Sequence, residues 1–367
     1  MQISDIRTYL VDAQQKRTWL FVEVSTDEGE VGIGEASQSR FDRGVRMLLE
    51  QWKPRLVGRD PGALIEPLRK QLLLNPFASR AEFAAFSGLE QALWDLIGKG
   101  AGMPVSRLLG GPHSSRVRVY ATLFAGQDNA PDALARVAAN SVADGFSAVK
   151  IYPFPYTGTA AGPLTPEERK LAIERVSAVR SAIGPDVELL TDWAWAVTPG
   201  DARRMAELFA EFNLFWIEEP FVSGDAGALA EFRRVITPRL AGGEQLHGLR
   251  SFKRRLECRA LDVLMPDVKW IGGILATKQL AGMAEAFDVE VAPHNASGPV
   301  AAAASLQVSA TVPNLTMLEF GGGSVPWRAE LVRGSEQIEA GHLLLSDRPG
   351  LGIEFDREIA LGRAAEW

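Results

Sequence analysis

Six ionisable side chains recur at near-even intervals through the second half of the chain. They are Asp192, Glu218, Glu244, Asp267, His294 and Glu319, with successive spacings of 26, 26, 23, 27 and 25 residues. Asp192, Glu218 and Glu244 are consecutive carboxylates with no cation of their own. Brought together they repel, and carboxylates are rarely buried unless paired or bound to a metal. A hard divalent cation relieves that repulsion, and an all-oxygen donor set selects Mg²⁺, with Mn²⁺ close behind. Asp267 and His294 form a different pair. A carboxylate bonded to one imidazole nitrogen fixes the tautomer and raises the basicity of the other, which makes His294 a candidate general acid/base. Glu319 either contacts a substrate carboxylate or orients another group. Lys150 either neutralises a substrate carboxylate or serves as counter-ion to Asp192 or Glu218. Tyr152, two residues on and so on the same strand face, is a proton carrier or a pocket wall.

Each of these groups sits at the end of a short apolar run, and each run is followed by an amphipathic helical stretch. The runs begin at Val117, Ala148, Val187, Leu214, Arg239, Val263, Val289 and Leu315. Eight such units predict a closed parallel (β/α) TIM barrel, whose active site lies where the C-terminal strand ends converge. An open doubly wound sheet would want a Gly-rich phosphate loop after its first strand, and none is present there. Strand phase also chooses between the acids of Glu218-Glu219-Pro220 and points Glu218 inward. Lys269, two after Asp267, lines the mouth or pairs with an acid. Before residue 116 the pattern differs. Strands are expected at Ile3–Leu10, Thr18–Ser25 and Val31–Gly34, then helices at Val45–Arg55, Ala63–Leu73 and Ala81–Gly100. Strands followed by helices describe an α+β unit. The expected division is 1–115 for that unit and 116–325 for the barrel, with 326–367 returning to the first unit.

Composition is consistent with this. The 367 residues suffice for two domains or one large barrel with an addition, and 46% apolar with 23% charged residues is ordinary for a globular chain. A net charge of −7 argues against non-specific binding to nucleic acid or an anionic membrane. The single cysteine, Cys258, forms no internal disulfide and fits a reducing cytoplasmic location. The N-terminal residues carry no signal-peptide pattern, and no apolar run approaches a membrane span.

Taken with their flanking motifs, these residues resemble the enolase superfamily, in its mandelate racemase-like branch. The resemblance spans nearly the whole chain. It rests on Gly32-Ile33-Gly34-Glu35-Ala36-Ser37, on Gly88 to Lys99 with Leu108-Leu109-Gly110-Gly111, on Trp216-Ile217-Glu218-Glu219-Pro220, on Gly243-Glu244, and on Met265 to Gly273. It implies an N-terminal α+β capping domain over a modified barrel, one essential Mg²⁺, carboxylate substrates, and removal of the proton α to the carboxylate to give an enediolate. By motif, Asp192, Glu218 and Glu244 match the metal ligands, Asp267 and His294 the dyad, and Glu319 the acid that contacts the substrate carboxylate. Family analogy implies a homo-oligomer, a dimer or octamer.

Two departures bear on the reaction. Where the racemases have Lys-x-Lys after the second barrel strand, this chain has Lys150-Ile151-Tyr152. Tyr152 stands where the second base should be, and an unperturbed phenol titrates near 10 unless Lys150 and a metal lower it. That disfavours a two-base racemase and favours a one-base loss of the β-hydroxyl, an acid-sugar dehydratase giving a 2-keto-3-deoxy acid. The alternatives are a racemase, epimerase or lactone cycloisomerase on the same site, or a binding protein without catalysis. In Asp192-Trp193-Ala194-Trp195, Ala194 replaces a frequent asparagine, and Trp193 and Trp195 are expected as pocket wall beside the substrate. Lys16, Arg17, Arg40 and Arg43 lie on the first-domain loops expected to close over the substrate, and Pro153–Pro166 is a long loop that would help cover the mouth.

Overall fold

The computed structural model describes residues 1–13, 17–38, 41–123, 129–154, 162–222, 225–321, 325–334 and 336–365. Strands β1 (Ile3–Asp12), β2 (Thr18–Thr26) and β3 (Val31–Glu35) form an antiparallel meander in that order. Helices α1 (Asp42–Leu56), α2 (Ile65–Leu74) and α3 (Arg80–Gly100) cover one face of it. The N-terminus of α3 is set by a capping box between Ser79 and Glu82. The Gly32-Ile33-Gly34 motif has a steric cause. A Cβ at Gly34 would stand 1.9 Å from the Gly88 carbonyl oxygen, and one at Gly32 would stand 2.2 Å from that of Ala92. Only glycine lets β3 approach α3 this closely. Leu20, Val22, Val24, Leu89 and Leu93 fill the space between sheet and helices.

A short helix, α4 (Val105–Leu108), leads into the barrel. Its strands are β4 (Arg116–Thr122), β5 (Ala148–Ile151), β6 (Glu188–Asp192), β7 (Leu214–Glu218), β8 (Arg239–Gly242), β9 (Val263–Leu264), β10 (Glu290–Val291) and β11 (Leu318–Phe320). They pair in parallel from β4 through β10 in chain order, and β11 pairs in parallel with β4. A parallel bridge from Val291 to Leu315 completes the circuit. Helices α5 (Pro131–Ala143), α6 (Pro166–Ile183), α7 (Pro199–Leu208), α8 (Ala226–Arg233), α9 (Gly248–Glu257), α10 (Gly273–Glu285) and α11 (Pro299–Ser309) connect successive strands. Strand alternation sends Val119, Val149, Leu189 and Ile217 outward to the helices, and Tyr120, Leu190, Trp216 and Met265 inward to the barrel axis.

The eighth strand is not followed by a barrel helix. The chain instead runs through α12 (Arg328–Leu331), β12 (Val332–Arg333), β13 (Ile338–Glu339), β14 (His342–Leu344), β15 (Glu354–Phe355) and α13 (Arg357–Gly362). This tail was expected to pack on the first unit, and its end does: Ala365 N donates to Leu10 O at 2.9 Å. Its middle does not, because β14 pairs antiparallel with β4 of the barrel. Cys258 caps the C-terminal end of α9, and a barrel helix ends at the face opposite the mouth, so it has no part in the site.

Two cap carboxylates fasten the two units together beside the mouth. Glu90 on α3 accepts from Ile274 N at 2.8 Å and Leu275 N at 2.9 Å, capping α10. Glu35 at the end of β3 accepts from Gly298 N at 2.8 Å and Ala301 N at 2.9 Å, capping α11. Each satisfies orphan donors at the positive end of a helix. These two helices directly follow the loops that carry Asp267 and His294, so the cap sets where both loops end.

Candidate active site

The last residues of β6 and β7 are Asp192 and Glu218, which face each other across the pairing of those strands. Glu244 follows β8 after Gly243, whose φ of 108° turns the backbone as only glycine does readily. Ligating oxygens of Asp192, Glu218 and Glu244 all lie within 4.8 Å of one another, and all three side chains are buried. Burial, with Glu244 beside it, pushes Asp192 up to about 6 against the pull of Lys150. Glu218 is raised well above the carboxylate range, by burial first and then by Asp192. Three buried carboxylates converging on one point, two of them raised by burial and by neighbouring carboxylates, suit a cation, and the triad fits a divalent metal by donor type and number.

Lys150, wholly buried on β5, extends its ammonium into the acids. It lies 2.8 Å from Glu218 Oε1, 3.0 Å from Glu319 Oε1 and 3.6 Å from Asp192 Oδ2. Burial opposes its charge, but Glu218 and Glu319 outweigh burial and hold it protonated well above the usual range. Of the two expectations for Lys150, the counter-ion is the one the contacts fulfil. Glu319 Oε1 also accepts from Thr122 Oγ1 at 2.5 Å, and Oε2 accepts from Asn295 N at 2.8 Å. Burial would raise Glu319, yet Lys150, His294 and these hydrogen bonds bring it down to about 2. It is therefore an anion that accepts, which suits orienting its neighbours.

Asp267 and His294 lie just beyond β9 and β10, joined by a parallel bridge. His294 Nδ1 is 2.7 Å from Asp267 Oδ2, so Nδ1 carries the hydrogen and Nε2 faces the acids. Nε2 lies 3.4 Å from Glu244 Oε2 and 3.7 Å from Glu319 Oε2. Burial would lower this imidazole, but Glu244, Glu319 and Asp267 together raise it to about 9. Asp267, despite burial, is brought down to about 2 by Lys269 and His294.

Several expected residues behave differently from the sequence reading. Lys269 is the exception, since pairing with an acid was one of its two expectations and is the one its contacts fulfil. Its buried ammonium lies 2.5 Å from Asp267 Oδ2 and also meets Ser297 Oγ, so it pairs with the acid of the dyad. Trp193 is not a pocket wall: it is fully buried, edge-on to Phe154 and Phe209, in the core between strands and helices. The cause is the strand period: Asp192 faces the mouth, so Trp193 turns to the helix side with Thr191, whose Oγ1 accepts its indole N–H at 3.0 Å, and the alternation ends only at the left-handed Ala194 (φ 45°) and Trp195 (φ 58°). Trp195 is half-buried, and its indole N–H is spent on Glu219 Oε2 at 2.8 Å. Glu219, also left-handed, turns aside to accept from Gly243 N at 2.6 Å, which leaves Glu218 as the inward acid. Tyr152 is half-buried beside the triad, and its hydroxyl is not lowered. Burial and Asp192 raise it well above 10, and the opposing pull of Lys150 is too small. Arg17 and Arg43 are exposed, while Lys16, Arg40 and residues 155–161 of the long loop lie outside the described residues.

The sequence reading assigned no role to Trp270, yet its ring stacks on the His294 imidazole with centroids 5.6 Å apart at 29°. Its only signal was its place inside the Met265–Gly273 motif. Thr122 and Asn295, which orient Glu319, likewise carried no spacing signal of their own.

With this geometry in place, similarity to known proteins becomes informative. Residues 7–110 match the mandelate racemase/muconate lactonizing enzyme N-terminal domain, and residues 133–359 match the enolase C-terminal domain-like family. The chain belongs to the mandelate racemase/muconate lactonizing enzyme family of the enolase superfamily. It is 32% identical to the D-xylonate dehydratase of Haloferax volcanii, over all of this chain and 89% of that one. It is also 32% identical to the D-galactonate dehydratase of Ralstonia nicotianae, over all of this chain and 96% of that one. A mandelate racemase/muconate lactonizing enzyme-like protein from Roseovarius sp. TM1035 superposes with a TM-score of 0.93 at 30% identity, covering all of this chain and 96% of that one. One from Jannaschia sp. CCS1 gives 0.92 at 30% identity, covering all of this chain and 98% of that one. The capped barrel is thus the architecture of this family, and its members use a divalent metal. Among the described residues no helix is long and apolar enough to cross a membrane.

Proposed function

We propose that this protein is a Mg²⁺-dependent acid-sugar dehydratase of the cytoplasm, acting on a small aldonate. The observation that carries the reading is a difference among three candidate proton carriers at the mouth. Lys150 and Tyr152 both hold their protons well above working pH, whereas His294 is the group whose Nε2 faces the acids and whose titration lies nearest neutrality. A site with one working base suits elimination better than racemisation, which needs a base on each face of the substrate.

Asp192, Glu218 and Glu244 would hold the metal, which supplies positive charge against the substrate carboxylate oxygens as the α-carbon loses its proton. His294 Nε2 takes that proton, and Asp267 keeps the ring in the tautomer that can. The C–H electron pair then forms the α,β double bond, and the β-hydroxyl leaves as water on receiving a proton from the imidazolium. The enol product takes a proton at C3 and gives up the proton on its C2 oxygen to become the 2-keto-3-deoxy acid. With the neighbouring carboxylates uncompensated, His294 is a protonated acid at pH 7. Neutralising Glu244 takes away the largest attraction on that proton and moves the ring towards a base. The same imidazole thereby serves both half-steps. Lys150 and Glu319 hold the frame by balancing charge.

The dehydratase names of the relatives support this reading. The test is proton NMR in D₂O with Mg²⁺ and a panel of aldonates that includes D-xylonate, D-gluconate and D-galactonate. Water loss with one deuterium at C3 is expected. Exchange at the α-carbon without water loss would replace the reading with an epimerase, and would make Tyr152 its second base.

A further inference from the structure

Arg80, the first residue of α3, reaches from the cap onto two barrel residues. Its guanidinium carbon stands 4.0 Å from the centre of the Trp270 ring. The other face of its contact is polar: Nη1 donates to Gln245 Oε1. Each of those two residues touches the candidate machinery. Trp270 stacks on His294, and Gln245 Nε2 donates to Glu244 Oε1 at 3.1 Å. His294 Nε2 in turn lies 3.4 Å from Glu244 Oε2. The five side chains Arg80, Trp270, His294, Glu244 and Gln245 form a closed ring of contacts, and Arg80 is the member that belongs to the cap.

The chemistry of the ring makes its order directional. Arginine only donates and a carboxylate only accepts. The Gln245 amide must therefore turn its oxygen to Arg80 and its NH₂ to Glu244. Without Arg80 the amide is held at one end only, by Glu244 Oε1, and nothing anchors its oxygen. On the other arm, His294 has one short bond at Nδ1, about which an imidazole can swing. An indole plate against its face removes that swing. The plate is itself held by the guanidinium over its ring and by Trp270 Nε1 donating to Ser37 O of the cap at 3.1 Å.

We propose that Arg80 is a positioning residue, which fixes the plane of His294 through Trp270 and the orientation of Glu244 through Gln245. The site's base and its third metal carboxylate are thus in register when the cap is docked. The inference rests on the metal-and-dyad reading above.

Two measurements test it on the full chain. The first titrates Mg²⁺ alone by calorimetry into the wild type and Gln245→Met, a swap that alters no charge. Affinity falls about tenfold, in the range of lost outer-shell partners of a metal site. An unchanged affinity overturns the Glu244 arm. The second follows turnover of D-xylonate, D-gluconate and D-galactonate. Arg80→Met lowers kcat by about 10- to 100-fold on whichever of these the wild type dehydrates, with KM within about threefold. Its melting temperature stays near that of the wild type, and millimolar guanidinium returns part of the lost kcat. A kcat within about threefold of wild type overturns the inference. So does a loss that tracks a lowered melting temperature and that guanidinium does not mend. A wild type that binds Mg²⁺ but dehydrates none of the three overturns the proposed function, and the Gln245→Met titration still decides the Arg80–Gln245–Glu244 arm.

Discussion

Replacing Lys150 by methionine removes an ammonium in contact with Glu218, Glu319 and Asp192 and leaves a stem of similar volume. The cost can be worked from the charges. Glu319 is ionised because Lys150 and His294 hold it near 2. Without the ammonium, one more buried carboxylate is uncompensated, and the cheapest remedy is one more bound proton. Holding that proton at pH 7 on a group that ordinarily titrates at 4.5 costs about 3.4 kcal/mol, at about 1.36 kcal/mol per pH unit. Breaking a buried ion pair typically costs about 3–5 kcal/mol, so the two routes agree. The pH dependence has a definite sign. The extra proton is bound in the folded mutant and not in the unfolded chain, so the folded pKa is raised. The deficit therefore vanishes below the unfolded value of about 4.5 and widens with rising pH, by about 1.4 kcal/mol per unit. Urea unfolding of both proteins in EDTA, from about pH 5 to about pH 8, reads this directly. Excess Mg²⁺ should narrow the gap, because a dication takes over the charge that Lys150 balanced. A gap that does not change with pH would refute the reasoning, since it would mean that Lys150 acts by packing alone.

Asp267→Asn should lower kcat by about 10²- to 10⁴-fold through loss of the tautomer that exposes Nε2, with Mg²⁺ affinity by calorimetry little altered. Equal activity would remove the dyad from the mechanism. Tyr152→Phe should retain α-proton exchange in D₂O to within about tenfold, because a phenol held protonated is not the base. Loss of exchange would restore a two-base reaction. Glu35→Ala strips the cap from α11 and should destabilise by about 1–2 kcal/mol in urea unfolding. No change would mean that water replaces the carboxylate at that helix end.

How much of this site could be read from the sequence depends on where each residue sits relative to regular backbone. Asp192, Glu218 and Glu319 lie within strands, and Lys150 lies on β5 with Tyr152 immediately beyond it. There the two-residue period and the βα repeat carry over from sequence to space, and all five gather at one mouth. Glu244, Asp267 and His294 lie two or three residues past their strands, and the even spacing still places them. The period fails at the first left-handed residue. Trp193, still in phase behind Asp192, goes to the core by the period itself, whereas the left-handed Ala194 and Trp195 end the alternation and turn Trp195 onto Glu219. β9 is only Val263–Leu264, so Lys269 belongs to the turn that follows and its phase says nothing about direction. The titration of Tyr152 is a sum over burial, Asp192, Lys150, Glu319 and Glu218 in three dimensions, and composition beside one lysine gets its sign wrong. Arg80 is the extreme case. It meets Gln245 across 165 residues of sequence, from a helix start that reads in one dimension only as a capping box. A residue's chemistry can thus be read from its neighbours in sequence only while the backbone between them is periodic. The side chains that tie the cap to the barrel fall outside that condition, which is why the contacts behind His294 and Glu244 are the part of this site that the sequence does not show.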